Sequence, residues 1–386
     1  MPDSDETMPV VSGRRAATVL RVSGMRALAT RFVDMFAFPL RHSHYVELVR
    51  PLWVNHHLQA RVEEVIDETR DTRTLVLRPG RGWRRHRAGQ HVRVGVQLGG
   101  MRHTRTYSIA SAPEREDGCI TITVKAVAGG RVSTHLARRL APGALLPIGV
   151  PQGDFVLPDA VPVRPLFVTA GSGVTPIMSM LRSMAARFER LPDVVHLHYA
   201  PHAQDTIFGD ELNALAAGNP RYRYVPTYTR DLGRATTQER HFHVRALDGA
   251  CPDWRQRDVW ACGPAGLLRS LEEELQPAGF RGALHVERFA AKLAPLSPDA
   301  AAGGRVRFAR SGVTAQSDGR QTLLRVAEDA GLDPAHGCRM GICHGCDVRL
   351  VAGCVRDLRT GATFGEPGET IQPCVSAAIG DVDVDL

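Results

Sequence analysis

Lysine is nearly missing from this chain: among 48 basic residues only Lys125 and Lys292 are lysines, so arginine carries the net charge of +7. No basic stripe interleaved with aromatics is present, which argues against nucleic-acid recognition. No apolar run approaches ~20 residues, so no transmembrane helix is expected. The N-terminal stretch lacks the h-region of a secretory signal. Cysteine is not scarce, but the 8 cysteines do not form a secreted disulfide framework. Four belong to one motif, and Cys119, Cys251, Cys262 and Cys354 are scattered.

What is present is the composition of an ordinary globular protein, 43% hydrophobic and 23% charged. At 386 residues the chain suits two or three domains. Residues 303–386 hold 9 Arg against 11 Asp plus Glu, a net of −2, which leaves +9 for the remainder. A basic body beside a slightly acidic module points to electrostatic steering between modules or toward partners.

The most specific signal is His336-Gly337-Cys338-Arg339-Met340-Gly341-Ile342-Cys343-His344-Gly345-Cys346. Four residues separate Cys338 from Cys343, two separate Cys343 from Cys346, and 27 lie between Cys346 and Cys374. Four thiolates can hold a [2Fe–2S] cluster or a structural zinc ion. Zinc sites usually pair short C-x-x-C knuckles at both ends, whereas Cys374 stands alone in Ile371-Gln372-Pro373-Cys374; the asymmetry favours the cluster. A loop wrapped around a cluster brings backbone N–H groups toward the sulfurs, an approach that Gly337, Gly341 and Gly345 permit. The stretch resembles the plant-type ferredoxin family over about residues 303–386. The resemblance implies a β-grasp fold with Cys338, Cys343, Cys346 and Cys374 as iron ligands. Its expected elements are strands Arg305–Ala309 and Val313–Gln316, helix Leu323–Ala330, strand Asp347–Val351 and a tail Gly380–Leu386. Cys354 is a further thiol near the loop and is not expected to be a ligand. Thiolate-bound iron implies a reducing compartment, so a cytoplasmic location is expected.

Upstream, short β-rich runs separated by Gly and Pro clusters (Leu58–Val65, Thr72–Arg78, Gln90–Leu98, Met101–Ile109, Cys119–Val127) predict an antiparallel barrel over 56–160. Within it, Arg105-Thr106-Tyr107-Ser108 resembles the R-x-Y-S strand of the ferredoxin reductase family. The resemblance implies flavin binding, and each residue has a chemical reason. Arg105 can pair with a phosphate, Tyr107 can stack on the isoalloxazine, and Ser108 can hydrogen-bond near N5, where hydride arrives. Gly129-Gly130-Arg131-Val132-Ser133-Thr134 reads as a glycine turn opening a helix, a pyrophosphate cradle formed by Gly130, Val132, Ser133 and Thr134. Gly153-Asp154-Phe155 resembles the family's closing G-D-F turn, and Gly89-Gln90 its P-G-Q segment, with Ala88 and His91 departing from the pattern. A pyrophosphate site implies FAD; FMN is the rival.

Residues 161–290 predict an α/β Rossmann-like nicotinamide domain. The apolar strand Pro165–Ala170 runs through Gly171-Ser172-Gly173-Val174-Thr175-Pro176 into a helix, a phosphate cradle at a βα junction in which Gly171, Gly173, Thr175 and Pro176 are cofactor-binding candidates. Strands Val194–Tyr199, Tyr222–Thr229 and Asp258–Cys262 and helices Asp210–Ala217 and Gly266–Gln276 continue the alternation. Cys262-Gly263-Pro264 is similar to the family's C-G-P motif. By that resemblance Cys262 sits at the nicotinamide edge, beside Gly263 and Pro264. Glu287-Arg288-Phe289 closes the domain and resembles the family's Glu-x-Phe beside the flavin, a resemblance that makes Glu287 a candidate for nicotinamide positioning or proton buffering and Phe289 for covering the ring. The second strand ends without a carboxylate until Asp205, and Arg230 can meet a 2′-phosphate, so NADPH is expected over NADH.

The remaining segments are an N-terminal extension over 1–55, with a basic amphipathic helix within 25–49, and a Pro-interrupted linker over 291–304. That helix either packs on the body or rests on a membrane surface, which would make the protein peripheral at the inner membrane. Together the modules predict a multidomain reductase: NAD(P)H gives two electrons to the flavin, which passes them singly through the cluster of 305–386 to an external redox protein. The whole chain resembles bacterial reductases serving membrane di-iron (stearoyl-type) acyl desaturases. The alternatives are the reductase of a soluble Rieske or di-iron oxygenase or of a cytochrome P450, and, from another class, a redox-sensing module. No haem domain fits, which excludes a globin-containing dioxygenase.

Overall fold

Alternating buried and half-exposed side chains set up the first unit. Strand β1 (Gln59–Thr69) pairs with β2 (Thr72–Pro79), β3 (His91–Leu98) pairs with β4 (Met101–Ser108), and β5 (Ile120–Lys125) adds to β2, all antiparallel. Helix α1 (Arg131–Arg138) follows, and β6 (Leu145–Pro147) pairs with β1. The sheet β5-β2-β1-β6 and the hairpin β3-β4 meet at isolated bridges, among them Ile109 to Ile122 and Val94 to Ile148. The closure encloses one apolar core containing Leu75, Leu77, Val92, Val94, Ile122 and Leu136. The structure, a computed structural model, describes residues 52, 58–98, 101–127, 130–231, 241–289, 303–336, 339–341 and 344–386. The helix expected within 25–49, the linker as far as 302, Gly129, and Cys338 and Cys343 lie outside the described residues.

The second unit is a parallel sheet. Its strands are β7 (Pro165–Ala170), β8 (Val194–Ala200), β9 (Tyr222–Tyr228), β10 (Asp258–Cys262) and β11 (Leu284–Glu287), in the order β11-β10-β7-β8-β9. Helices α2 (Val174–Arg187), α3 (Gly209–Gly218), α4 (Arg245–Ala250) and α5 (Ala265–Glu274) cover it. The faces are divided by strand alternation: Phe167 and Trp260 join the core under α2 and α3, while Leu166, Val168, Val259 and Ala261 join the core under α4 and α5. The chain winds outward from β7 through β8 and β9, then returns to place β10 on the other side of β7. The gap between the carboxyl ends of β7 and β10 is therefore a topological switch point, where sheets of this kind open a ligand crevice.

The third unit pairs β12 (Gly304–Phe308) with β13 (Val313–Ser317), packs α6 (Leu323–Asp329) on the sheet, and continues with β14 (Val348–Asp357), β15 (Thr363–Phe364), β16 (Thr370–Ile371) and β17 (Ser376–Val384). The order β13-β12-β17-β14-β15, with β17 parallel to β12, is a β-grasp arrangement. All three expected architectures are present.

Among the described residues the units touch at several places, two of which position the site. Helix α2 leans on the barrel: the Ser179 hydroxyl donates to the Ser111 carbonyl at 2.7 Å, and Arg182 Nη1 donates to the Ala110 carbonyl at 2.8 Å. The third unit meets β4 through the α6 end and the loop that follows it, where His103 Nδ1 lies 3.3 Å from Asp333 Oδ1.

Candidate functional site: a two-electron cleft and a thiol loop

The crevice predicted by the switch point is present as a cavity of about 810 Å3, lined among others by Gly171, Gly173, Gly263, Pro264, Arg288 and Phe289. Its floor is made by two βα turns in near contact. A Cβ on Gly173 would sit 2.0 Å from the Cys262 carbonyl oxygen, and one on Gly263 would sit 2.8 Å from Leu267 Cδ2. Only glycine lets the turns approach this closely. Gly171, with φ +53°, starts the turn, and the Thr175 hydroxyl donates to the Ser172 carbonyl at 2.9 Å to lock it. Pro176 lies in the first turn of α2, where its missing N–H costs nothing. The Val174 N–H is bonded back to Gly171 and Ser172, so it is the N–H groups of the Gly171–Gly173 turn ahead of α2 that suit a pyrophosphate.

Beside the cradle, β10 and β11 run parallel with Cys262 opposite Glu287. Cys262 is fully buried, and burial, followed by the nearby Glu287 charge, pushes its thiol pKa well above the usual value. It therefore stays a neutral thiol. Glu287 is raised to about 7, first by burial, opposed by Arg288 and helped by Asp154. A carboxyl near neutrality can exchange a proton with its surroundings, as an acid–base group should. His91 Nδ1 is 4.0 Å from Glu287 Oε1, and burial holds the imidazole pKa down, so the pair does not act as a full ion pair. Phe289 is 46% exposed and lines the cavity, placing an open aromatic face beside the cleft.

The barrel brings its motif to the same side. In the β3–β4 register His91 faces Ser108 and Val92 faces Tyr107. Gly89 (φ +100°) and Gly153 (φ +106°) let the two turns expected at 89–91 and 153–155 close on each other; a Cβ on Gly153 would lie 2.9 Å from the His91 ring. Ser108 is buried, and Tyr107 packs partly on the barrel core, with burial raising its phenol to about 12. Thr106, half-buried, lies opposite Arg93. Arg105 turns to the third unit: its Nη1 is 2.5 Å from His336 Nε2 and donates to the Thr104 carbonyl at 2.8 Å. Burial and the neighbouring Arg339 push the Arg105 pKa down.

At the glycine turn, α1 begins with Gly130 as its N-cap and no side-chain cap. Ser133 Oγ accepts from the Val127 N–H at 3.2 Å, and Val132 is buried in the barrel core. What this turn offers a phosphate is backbone N–H, together with Thr134 on the half-buried face. Arg230 is exposed, with its N–H donating to the Pro201 carbonyl at 3.0 Å, and it does not line the cavity although Thr229 does. Asp205 is 3% exposed, so it offers no carboxylate at the surface after β8.

In the thiol loop, Cys346 and Cys374 are buried together with Leu324 and Val375. The Cys374 thiol hydrogen-bonds to Cys346 and holds its pKa below the usual thiol value. The backbone coils tightly: Arg339 (φ +59°), Gly341 (φ +69°) and His344 (φ +54°) are all left-handed. Arg359, gripped by Asp357 at 2.6 Å, braces the loop by donating to the Gly341 carbonyl at 2.5 Å. Two soft thiols packed together, Cys346 on the coiled loop and Cys374 after β16, fit an iron–sulfur group; the donors to complete the set, Cys338 and Cys343, lie outside the described residues. Cys354 stands on β14 against Gly365, outside the cluster that holds Cys346 and Cys374.

Sequence reading had not singled out Lys125, Arg288 or His91 as site residues. The first two line the cavity, and His91 abuts Glu287. Only His91 carried a signal, as a departure from the motif in which it sits.

The comparisons agree with this geometry. Residues 59–157 match the oxidoreductase FAD-binding domain family, 167–273 the oxidoreductase NAD-binding domain family, and 306–378 the 2Fe-2S iron-sulfur cluster binding domain family. The chain is 44% identical to an NADPH oxidoreductase of Mycobacterium tuberculosis, covering 94% of this chain and 92% of that protein. It is 29% identical to a glycine betaine monooxygenase reductase subunit of Pseudomonas aeruginosa, covering 86% and 96%. Phthalate dioxygenase reductase shares the fold, with a TM-score of 0.61 at 23% identity over 86% of this chain and 98% of that one. The chain belongs to the ferredoxin-reductase-type flavoproteins whose FAD- and NAD-binding domains are fused to a C-terminal [2Fe–2S] domain, and it is an oxidoreductase of that family.

Proposed function

We propose that the protein is the reductase component of an oxygenase system, taking electrons from NADPH and delivering them one at a time to a separate oxygenase. Flavin, when bound, would accept an electron pair as one hydride, and a bound cluster would allow single-electron release. The chain's own residues do the rest. Gly171, Gly173 and Thr175 seat the coenzyme phosphates at the α2 start, Gly263 and Pro264 line the cleft floor, and Cys262 presents a small neutral side at the nicotinamide. Thr106, Tyr107 and Ser108 seat the flavin, with Arg105 beside them turned toward His336; the Gly130 turn presents the backbone N–H of Val132 and Ser133 to its pyrophosphate, and Thr134 offers its hydroxyl. Glu287 holds or releases the proton that accompanies hydride, and Phe289 shields the ring from water. Cys338, Cys343, Cys346 and Cys374 hold the cluster.

The observation that carries this reading is the pairing of Cys262 with Glu287 at the ends of β10 and β11, next to a cavity lined by Gly171, Gly173, Gly263, Pro264 and Phe289. NADPH over NADH is supported by the buried Asp205 and the exposed Arg230 flanking the turns after β8 and β9. An oxygenase acceptor fits the glycine betaine monooxygenase reductase subunit named above better than the expected acyl desaturase does. Among the described residues no helix is long and apolar enough to cross a membrane. The test is reconstitution with NADPH and, in separate arms, a soluble oxygenase or a membrane acyl desaturase. Substrate oxidation in the oxygenase arm supports the reading; desaturation alone overturns it in favour of the lipid enzyme.

A further inference from the structure

His336 stands in the loop leading to the cysteines, yet its strongest partner belongs to the flavin barrel. Its Nδ1 lies 2.8 Å from the Pro334 carbonyl, which can only accept, so Nδ1 carries the proton. Nε2 is left with a lone pair, and two guanidinium groups donate to it: Arg105 Nη1 at 2.5 Å and Arg339 Nη2 at 3.0 Å. Glu328 offsets one of the two positive charges, bonding Arg339 through both oxygens and lying 3.9 Å from Arg105 Nη2. A second contact beside it joins His103 on β4 to Asp333 at 3.3 Å; His103 is 7% exposed and Asp333 shields it.

We infer that His336 and Asp333 dock the cluster loop on β4, and that this contact sets the speed at which electrons cross from the flavin barrel to the ferredoxin unit. The inference rests on the electron path proposed above. The physical argument is one of pairing. Without the imidazole acceptor, Arg105 and Arg339 would face each other across the seam with one carboxylate between them, and like charges would push the units apart. Interfaces between domains of one chain are small and mobile by default, so two part-buried polar contacts matter to the geometry. Each transfer served by the contact moves one electron, oxidising flavin and reducing cluster, and no bond is made or broken there. His336 is thus a positioning residue, acting through placement.

The test uses the full-length protein loaded with flavin and cluster, as wild type, His336→Ala, His336→Gln and Asp333→Ala. Ferricyanide reduction by NADPH reads the flavin directly, stopped-flow absorbance reads cluster reduction, and small-angle X-ray scattering reads the radius of gyration. For His336→Ala and Asp333→Ala the expected result is unchanged ferricyanide reduction, cluster reduction slowed about tenfold or more, and a larger radius of gyration. His336→Gln, whose amide oxygen can still accept, should restore most of the rate. Unchanged cluster reduction in both alanine variants overturns the inference. So does a parallel fall in ferricyanide reduction, because the residues would then serve the flavin site or the fold. If wild type itself passes no electrons from NADPH to flavin to cluster, it is the electron path that fails, and that is seen before any variant is compared.

Discussion

Glu287 is the residue whose environment departs most usefully from its type. Burial raises it to about 7, so the folded chain keeps a proton that the unfolded chain releases near the usual carboxylate value of about 4.5. Its contribution to stability is therefore present at low pH and is lost as pH rises toward and through about 7. Glu287→Gln should remove that loss, giving a higher melting temperature than wild type at pH 8 and little difference at pH 5. It should also cut hydride transfer by about 10- to 100-fold and erase the inflection near neutrality in the pH profile. An unchanged profile would assign the inflection to another group. Gly173 is decided by contact distance instead. With a Cβ there meeting a backbone oxygen at 2.0 Å, Gly173→Ala must spread the β7 and β10 turns. Nicotinamide affinity should fall by about tenfold or more while bound flavin remains. Coenzyme titration followed by flavin absorbance checks both parts.

Among the elements, β7 and β8 carry a buried polar ladder that no catalytic argument calls for. Thr169 Oγ1 lies 2.8 Å from His196 Nε2 and 2.7 Å from His198 Nδ1, and His196 Nδ1 is 2.8 Å from the Tyr222 hydroxyl. All three residues on β7 and β8 are fully buried. Burial lowers His198 to about 4 and His196 well below its ordinary value, with His198 adding to the latter. Both are neutral in the folded chain, while the unfolded chain protonates them near 6.5. Stability is flat above that pH and falls as pH drops from about 6.5 toward 4, by about 1.4 kcal/mol per pH unit for each histidine. Urea midpoints measured between pH 7.5 and 5 should show the slope, and His198→Phe should flatten part of it. Thr169→Val leaves two imidazole nitrogens facing a methyl group and should cost about 2–3 kcal/mol at neutral pH.

At the scale of the whole molecule, electrons must pass through three units in order, so the last can be cut without silencing the first two. Cys374→Ser should lose the cluster absorbance and cytochrome c reduction, yet keep ferricyanide reduction near the wild-type rate. Cys354→Ser, on the β14 edge away from Cys346 and Cys374, should change neither. Iron and sulfide analysis of the two variants separates a ligand from a bystander. Equal loss of iron in both would remove Cys354 from the bystander role.

How much of this was legible depended on how local each signal is. The bounds of β7 and β10 agree with the apolar runs Pro165–Ala170 and Asp258–Cys262, because strands buried on both faces are written as unbroken hydrophobic stretches. Strand β14 extends to Asp357, well past the expected Val351, because its outer half (with Gly353 and Cys354) has no apolar pattern and is held by pairing to β17. The short helix α4 was not foreseen, since Leu247 is its only buried side chain and gives no period to read. The sequence alone determined the chemistry of the modules, because thiol spacing, glycine turns and the R-x-Y-S strand are written in consecutive residues. Tertiary structure alone decided what those modules do to one another. Cys262 faces Glu287, and His336 meets Arg105 across 231 positions of chain, because packing brings together groups that no spacing along the backbone relates.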